Sequence, residues 1–185
     1  AAHGYRTMED NTTGSWNSAS GAYALLTNTT GGQNTGMGYC ALMANTTASY
    51  NSALGSKALG SNTTGAHNTA SGNYALTKNT TGASNTSVGS HALCATTTGA
   101  SNTAIGAFAL RKNTTGCCNT ASGYEALGCN TTGYRNTATG RTALIYNKQV
   151  LIILLLVTKL YLVTQQPLST QQLAVVLYLL ILQVI

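Results

Sequence analysis

Residues 11–27 read NTTGSWNSASGAYALLT, and residues 28–44 read NTTGGQNTGMGYCALMA. The same 17-residue unit is repeated without insertion until residue 146, giving eight copies. We number its positions 1 to 17, so that Asn11 and Asn28 both occupy position 1. A fixed short period is the signature of repeat architectures, in which each unit stacks on its neighbours. The repeat therefore decides the fold before any single element does.

Some positions of the unit are constant and others vary freely. Position 1 is Asn in every copy except at Thr96, position 7 is always Asn, position 11 is always Gly, and positions 14–15 are always Ala-Leu. The first ten residues, AAHGYRTMED, fit positions 8–17, with Gly4 and Met8 in the Gly and Leu places. We therefore expect the chain to begin in mid-repeat, as a fragment, and predict a repeat domain over 1–146 with a partial first coil plus eight coils.

The composition of the unit predicts an all-β parallel β-solenoid. A 17-residue unit is too short for a pair of helices, and its Thr, Asn and Gly residues oppose helix. We predict strands at NTAxG and xxAL, with successive coils hydrogen-bonded at about 4.8 Å. The constant Gly is expected at a corner with positive φ. The Asn columns are expected to form side-chain amide ladders and to occupy left-handed corners.

Small apolar residues form the predicted interior. Position 9 and the Ala-Leu pair are expected to point inward, which leaves only a thin core of one Leu and two Ala per coil. A core this lean favours a homo-oligomer, in which we expect several chains to pack along the Leu column. The Ala residues expected inside at position 9 are Ala19, Ala53, Ala70, Ala104, Ala121 and Ala138.

The composition argues against catalysis and against metal or nucleic-acid binding. Glu9, Asp10 and Glu125 are the three carboxylate residues in 185 residues, and the three histidines occupy three different positions of the repeat. The five cysteines follow no metal-ligand spacing. Nine Lys and Arg residues give a net charge of +6, but they are scattered rather than grouped into a basic stripe. We predict no enzyme activity, no cofactor, no metal and no nucleic-acid partner.

The repeat stops at residue 146, and residues 147–185 are rich in Leu, Ile and Val. The apolar run at 150–163 contains Lys159 and falls short of the roughly 20 residues that a transmembrane helix needs. Reading the codons one base out of frame permits Asn at 164 and 181, each a whole number of repeat units after Asn147. We predict that 147–185 is a frame-shifted continuation of the repeat, not an evolved domain. As printed, this hydrophobic tail should lie outside the solenoid and form no genuine membrane span.

The units NTTGxxNTAxGxxAL resemble the repeats of phage tail-fibre-like proteins and large bacterial surface proteins. They are more distantly similar to the head repeats of trimeric autotransporter adhesins. The resemblance covers residues 1–147. It implies a trimeric β-roll or β-solenoid fibre that is extracellular, on the cell surface or on a virion. It also implies a role as a shaft or an adhesive head. The VAIG-like strand of the adhesin heads is missing, and NTAIG at 102–106 is its nearest approach.

The variable positions carry aromatic and cationic side chains that could contact a partner such as a host-surface glycan or protein. The alternative, incidental exposed residues on a spacer, remains open. A second function class is an ice-binding solenoid, which would present Thr columns beginning at Thr12, Thr13 and Thr69. The predicted contact residues of the fibre are Trp16, Tyr23, Tyr50, Tyr74, Phe108, Tyr134 and Arg135.

Overall fold

A computed structural model describes residues 1–146. Each 17-residue coil contributes one short strand, formed by positions 8–10, and the rest of the coil consists of turns and bends. The predictions for 147–185 lie outside the described residues. The strands are β1 (Ala2–His3), β2 (Ser18–Ser20), β3 (Thr35–Met37), β4 (Ser52–Leu54), β5 (Thr69–Ser71), β6 (Thr86–Val88), β7 (Thr103–Ile105), β8 (Thr120–Ser122) and β9 (Thr137–Thr139).

The strands form one parallel sheet in chain order from β1 to β9. Every strand pairs with the next in a register equal to one repeat unit, as in Ala53 with Ala70 and Ala104 with Ala121. No helix occurs within 1–146. The predicted all-β parallel β-solenoid is therefore confirmed for the repeat domain, and identical positions of the unit stack in columns.

The prediction of a second strand at xxAL is wrong. Position 13 and the Leu of position 15 have left-handed backbones, with φ of 59° at Tyr23 and 49° at Leu25, and a strand cannot continue through such residues. The segment forms a tight turn in which Ala24 N–H donates to Gly21 O at 3.2 Å. Leu25 N–H donates across coils to Ala41 O at 2.9 Å. A left-handed L-residue costs about 1–2 kcal/mol, so these bonds and the burial of Leu must hold it.

Two corner predictions have different outcomes. The Gly of position 11 has φ between 118° at Gly140 and 142° at Gly72, as expected of a corner that needs glycine. The Asn residues, in contrast, do not take the left-handed corners. The residue before position 7 does so, as at Trp16 with φ of 58°, because the Asn side chains are committed to hydrogen bonds inside the coil.

The core follows the predicted inward set. The position-9 and position-14 Ala residues and the Leu residues from Leu25 to Leu127 form one buried cluster. Each of those Leu side chains is 0% exposed within the single chain. The expected packing of several chains along the Leu column is therefore wrong, because this column fills the interior and has no surface to offer.

The Asn columns form the predicted amide ladders. At position 1, Asn45 Nδ2 donates to Asn28 Oδ1 of the preceding coil at 2.8 Å and to Ala48 O of its own coil at 3.0 Å. At position 7, Asn51 N–H donates to Asn34 Oδ1 at 3.0 Å. These buried amides bond neighbouring coils where the core has too few apolar groups to do so alone.

Thr96 interrupts the position-1 ladder. Its hydroxyl donates to Asn113 O at 3.1 Å, but a Thr cannot donate backward as the amide does. Asn79 Oδ1 is consequently buried with no hydrogen-bond partner among the described residues. We expect Thr96→Asn to raise the free energy of unfolding by about 1 kcal/mol, by giving Asn79 its donor. Urea denaturation followed by circular dichroism measures this gain.

The matched control for this prediction is Thr98→Asn. Thr98 lies at exposed position 3 of the same coil, so the same substitution should change stability by less than about 0.5 kcal/mol. A Thr96→Asn protein no more stable than Thr98→Asn would contradict the ladder interpretation.

Candidate functional site

The predicted contact residues separate into two columns on the coil surface. Trp16, Tyr50, Tyr134 and Arg135 lie at positions 5 and 6, before the strand, and all four are exposed. The other three lie at position 13, after the corner Gly, and are half-buried: Tyr23, Tyr74 and Phe108. In each coil the strand of positions 8–10 separates positions 5 and 6 from position 13. The two columns are therefore two distinct surfaces.

The position-13 residues belong to a column of rings that contact each other along the stack. The Tyr74 and His91 rings are stacked with centroids 5.1 Å apart, and His91 and Phe108 with centroids 5.4 Å apart. Phe108 then meets the edge of Tyr124 at 5.9 Å. A shorter set near the start joins Tyr5, Tyr23 and Tyr39 by edge contacts.

Cationic side chains also contact the rings of this column. Lys57 Nζ lies 5.2 Å from the Tyr74 ring, and Arg141 Cζ lies 5.7 Å from the Tyr124 ring. Such cation–π contacts are worth about 0.5–1 kcal/mol at exposed sites. Since stacked neighbours cover the faces of Tyr74 and His91, this column is better suited to bonding coils than to receiving a ligand. This column contains three further rings that were not predicted, although the 17-residue spacing aligns them at positions 12 and 13: Tyr39, His91 and Tyr124.

The position-6 column borders a surface cleft of about 260 Å³ in the first three coils. Trp16 and Tyr50 flank it, two coils apart, and Gln33 lies between them in the middle coil. Trp16 is 81% exposed, so nearly all of its ring is available. We call this feature the Trp16 cleft. Its lining residues are Thr13, Ser15, Trp16, Thr30, Gly32, Gln33, Ser49 and Tyr50.

Gly32 opens the floor of the Trp16 cleft. Other coils carry Ser, Ala, Cys or Tyr at this position, and the missing side chain leaves room between Ser15 and Ser49. Gly32 N–H donates to Ser49 Oγ at 3.0 Å, which fixes that hydroxyl. The floor is therefore polar and shallow.

One wall of the cleft is a column of threonines, and the other is the position-6 column. Position 3 is Thr in all eight coils and exposed in all eight. The position-2 hydroxyls donate to the next coil, as Thr12 does to Thr29 O at 2.9 Å. Within residues 1–146, Thr13 and Thr30 form no hydroxyl hydrogen bond, so both can bond to a ligand.

The Tyr50 ring also borders the cleft and is 54% exposed. One of its faces stacks on His67 of the following coil, with centroids 4.7 Å apart and an angle of 4°. This contact fixes the orientation of the Tyr50 ring before any ligand arrives. Trp16 and Tyr50 thus provide two aromatic surfaces at the two ends of one wall, beside a polar floor, with no charged side chain in the lining.

The outer face of the sheet carries a different feature, an apolar stripe at position 10. Leu54 is the most exposed of these residues, at 55%, in the middle of a face whose positions 8 and 10 bear no charge in any complete coil. We call this the sheet stripe. Its apolar residues are Met37, Leu54, Val88 and Ile105.

Two cysteine thiols within residues 1–146 are not activated as nucleophiles. Burial raises the pKa of the Cys94 thiol, and a hydrogen bond involving Cys118 raises the pKa of the Cys117 thiol, whereas reactive cysteines have lowered values. Across residues 1–146 no group of three His, Cys, Asp or Glu side chains could hold a metal ion. No helix long and apolar enough to cross a membrane occurs in that same part of the chain.

The fold and surface define a parallel β-solenoid with a polar, aromatic-flanked cleft. Comparison with protein-family models, with curated proteins and with solved structures finds no match for this chain. We therefore infer the function of the chain from the chemistry of its own surface.

Proposed function

We propose that this chain is a structural fibre segment, a shaft or head of a surface or virion protein, that contributes to adhesion or host recognition. The observation that supports it is the division of the coil into constant and variable positions. The Asn, Gly and Ala-Leu positions hold the stack together, whereas positions 5, 6, 12 and 13 differ from coil to coil and, except at Cys40, are at least partly exposed. A scaffold that repeats inside and varies outside is typical of a binding fibre.

Adhesion would arise from weak contacts multiplied by the number of chains. Exposed aromatic residues with nearby cations give large contact energies at protein and glycan surfaces. Several copies in one fibre would raise the overall affinity through effective concentration. The proposed location is extracellular, on a cell surface or a virion, and the proposed partner is a host-surface glycan or protein.

The adhesion proposal is tested by replacing six aromatic residues with serine in the oligomeric full chain. We expect the parent to bind host cells and the variant to lose that binding. Equal binding by both proteins would show that the repeat is a spacer. The six residues are Trp16, Tyr23, Tyr50, Tyr74, Phe108 and Tyr134.

The sheet stripe is the surface that a homo-oligomer, a trimer in our proposal, would use. Its apolar side chains occur in four coils, and the remaining complete coils carry uncharged Ser or Thr at position 10, so a second copy presents a matching stripe at the same spacing. We expect Leu54→Asp to reduce the oligomer to a monomer, since a carboxylate would be buried without a partner. Light scattering after size-exclusion chromatography measures the mass.

The control for the stripe is Ser84→Asp, which adds the same charge at an exposed position-6 residue. This variant should keep the mass of the parent. A monomeric parent, or a Leu54→Asp protein that stays oligomeric, would contradict this interface.

Ice binding is the second candidate, and the exposed Thr column of position 3 favours it. Eight threonines at a spacing of about 4.8 Å present regularly placed methyl and hydroxyl groups. Thermal hysteresis of the full chain tests this function. A freezing-point gap that disappears in Thr64→Lys/Thr81→Lys would support ice binding, and the absence of any gap would exclude it.

A further inference from the structure

We infer that the Trp16 cleft is a binding site for a neutral, linear oligosaccharide. This inference rests on the proposed adhesive function and names the ligand class for one of its surfaces. It concerns the first three coils alone.

The two flanking rings suit the apolar faces of sugar units. Trp16 and Tyr50 are two coils apart, so their backbones are separated by about 9.6 Å along the stack. A pyranose ring has faces of C–H bonds that pack against an aromatic ring. The Trp16 ring is exposed, and Tyr50 is also exposed although His67 covers one of its faces. Each ring can therefore contact one sugar unit of a chain that passes along the cleft.

The polar lining between the rings matches sugar hydroxyl groups. Sugar hydroxyls donate and accept at the same atom, and Ser, Thr and Gln side chains offer both functions as well. The cleft contributes the free hydroxyls of Thr13 and Thr30 and the amide of Gln33. An apolar peptide side chain would leave these groups without partners, which costs free energy.

The lining of the Trp16 cleft carries no charge, which favours a neutral ligand. None of the eight lining residues is ionisable near neutral pH. A sulfated or carboxylated sugar would lose hydration here and gain no opposite charge in return. Basic residues are present elsewhere on the surface, such as Arg111 and Arg141 at the ring column, so an anionic glycan would be drawn away from this cleft.

The open floor of the cleft favours a linear ligand that runs parallel to the axis of the stack. Position 5 has no side chain at Gly32, and small residues follow it at Ser49, Ala66, Ala83 and Ala100. The Thr wall continues beside this floor in every coil. A linear chain can therefore extend from the cleft along the following coils, until Tyr134 raises the floor at position 5.

The test measures binding of the full chain to cello-, chito-, malto- and mannohexaose by calorimetry. An alginate hexamer serves as the anionic comparison. We expect at least one neutral hexaose to bind and the anionic one not to bind. Trp16→Ser and Tyr50→Ser should each weaken that binding about tenfold, as expected for one lost ring contact. Gly32→Gln should abolish it by filling the floor.

Tyr134→Ser is the matched control, because Tyr134 is also exposed but lies outside the cleft. Its affinity should equal that of the parent, and circular dichroism should show that all variants remain folded. Three results would overturn the inference: no binding of any neutral hexaose, stronger binding of the anionic hexamer, or equal losses in Tyr134→Ser and Trp16→Ser. Host-cell binding that persists in Trp16→Ser would leave the fibre proposal standing while excluding this cleft.

Discussion

Gly72→Ala is expected to destabilise the solenoid by about 4 kcal/mol, combining backbone strain with a backbone clash. Gly72 has φ of 142°, a region that L side chains rarely occupy. A Cβ atom there would lie 2.5 Å from the Gly89 carbonyl oxygen of the next coil. The carbonyl cannot move away without breaking the stack, because Gly89 is placed by its own bond to Ser71 O at 2.8 Å. Urea denaturation measures the loss.

Gly36→Ala provides a control of opposite sign. Gly36 lies in the interior of β3 without positive φ. Its Cβ atom would lie 3.3 Å from Ala41 O, a tight contact, and 3.5 Å from Leu25 Cγ, an ordinary one. Six of the eight coils carry Ala at this position. The substitution should therefore stabilise the protein by about 0.4–1 kcal/mol through the unfolded state. Similar effects of the two substitutions would contradict the corner geometry.

Asn68→Ala is expected to cost about 3 kcal/mol, since it breaks the position-7 ladder inside the coil. Asn68 Oδ1 accepts from Asn85 N–H at 2.9 Å and from Asn85 Nδ2 at 3.2 Å. Its own Nδ2 donates to Gly82 O at 2.9 Å. Alanine removes all three bonds and leaves the buried N–H of Asn85 without an acceptor. The midpoint of urea unfolding should fall accordingly.

Asn73→Ala is the matched control for the ladder. Asn73 lies in the same coil, at exposed position 12, and only its backbone oxygen accepts a hydrogen bond, from His91 N–H at 2.9 Å. This substitution should change the free energy of unfolding by less than about 0.5 kcal/mol. If the two alanine variants were equally stable, the Asn ladders would not support the fold.

The parallel stack, the Gly corner and the inward Ala positions follow from the repeat alone. Every coil has the same residues at its constant positions, so a backbone conformation that suits one coil suits all of them. Stacking the coils then buries the constant residues together. The break at Thr96 was also visible in the sequence, and its cost follows once the ladder bonds are known. Because all coils are alike, these features can be predicted from the sequence of a single unit.

The left-handed turn at Ala-Leu could not be predicted in the same way. Leucine at positive φ is disfavoured intrinsically, so the pattern indicated a strand. The turn exists because the Leu25 side chain fills the interior while its N–H bonds to Ala41 O of the next coil. This is a tertiary effect, and it also turned the predicted oligomer interface into core.

The candidate site was predicted in part. Trp16 and Tyr50 were selected as aromatic residues at variable positions, but the cleft between them depends on the open floor at Gly32 and on the stacking of His67 against Tyr50. Trp16 and Tyr50 are separated by two full repeat units in the sequence. Their approach to one cleft becomes apparent only when the coils are stacked in register.

The in-register stack is tested most directly by spin-label distances in a cysteine-free background. A label at Ser18 is paired in turn with labels at Thr86, Thr120 and Thr137, all at position 8 of their coils. At about 4.8 Å per coil, the expected distances are about 19, 29 and 34 Å. A linear increase of about 4.8 Å with each additional coil would confirm the parallel solenoid. Distances that do not increase with the number of coils would contradict it.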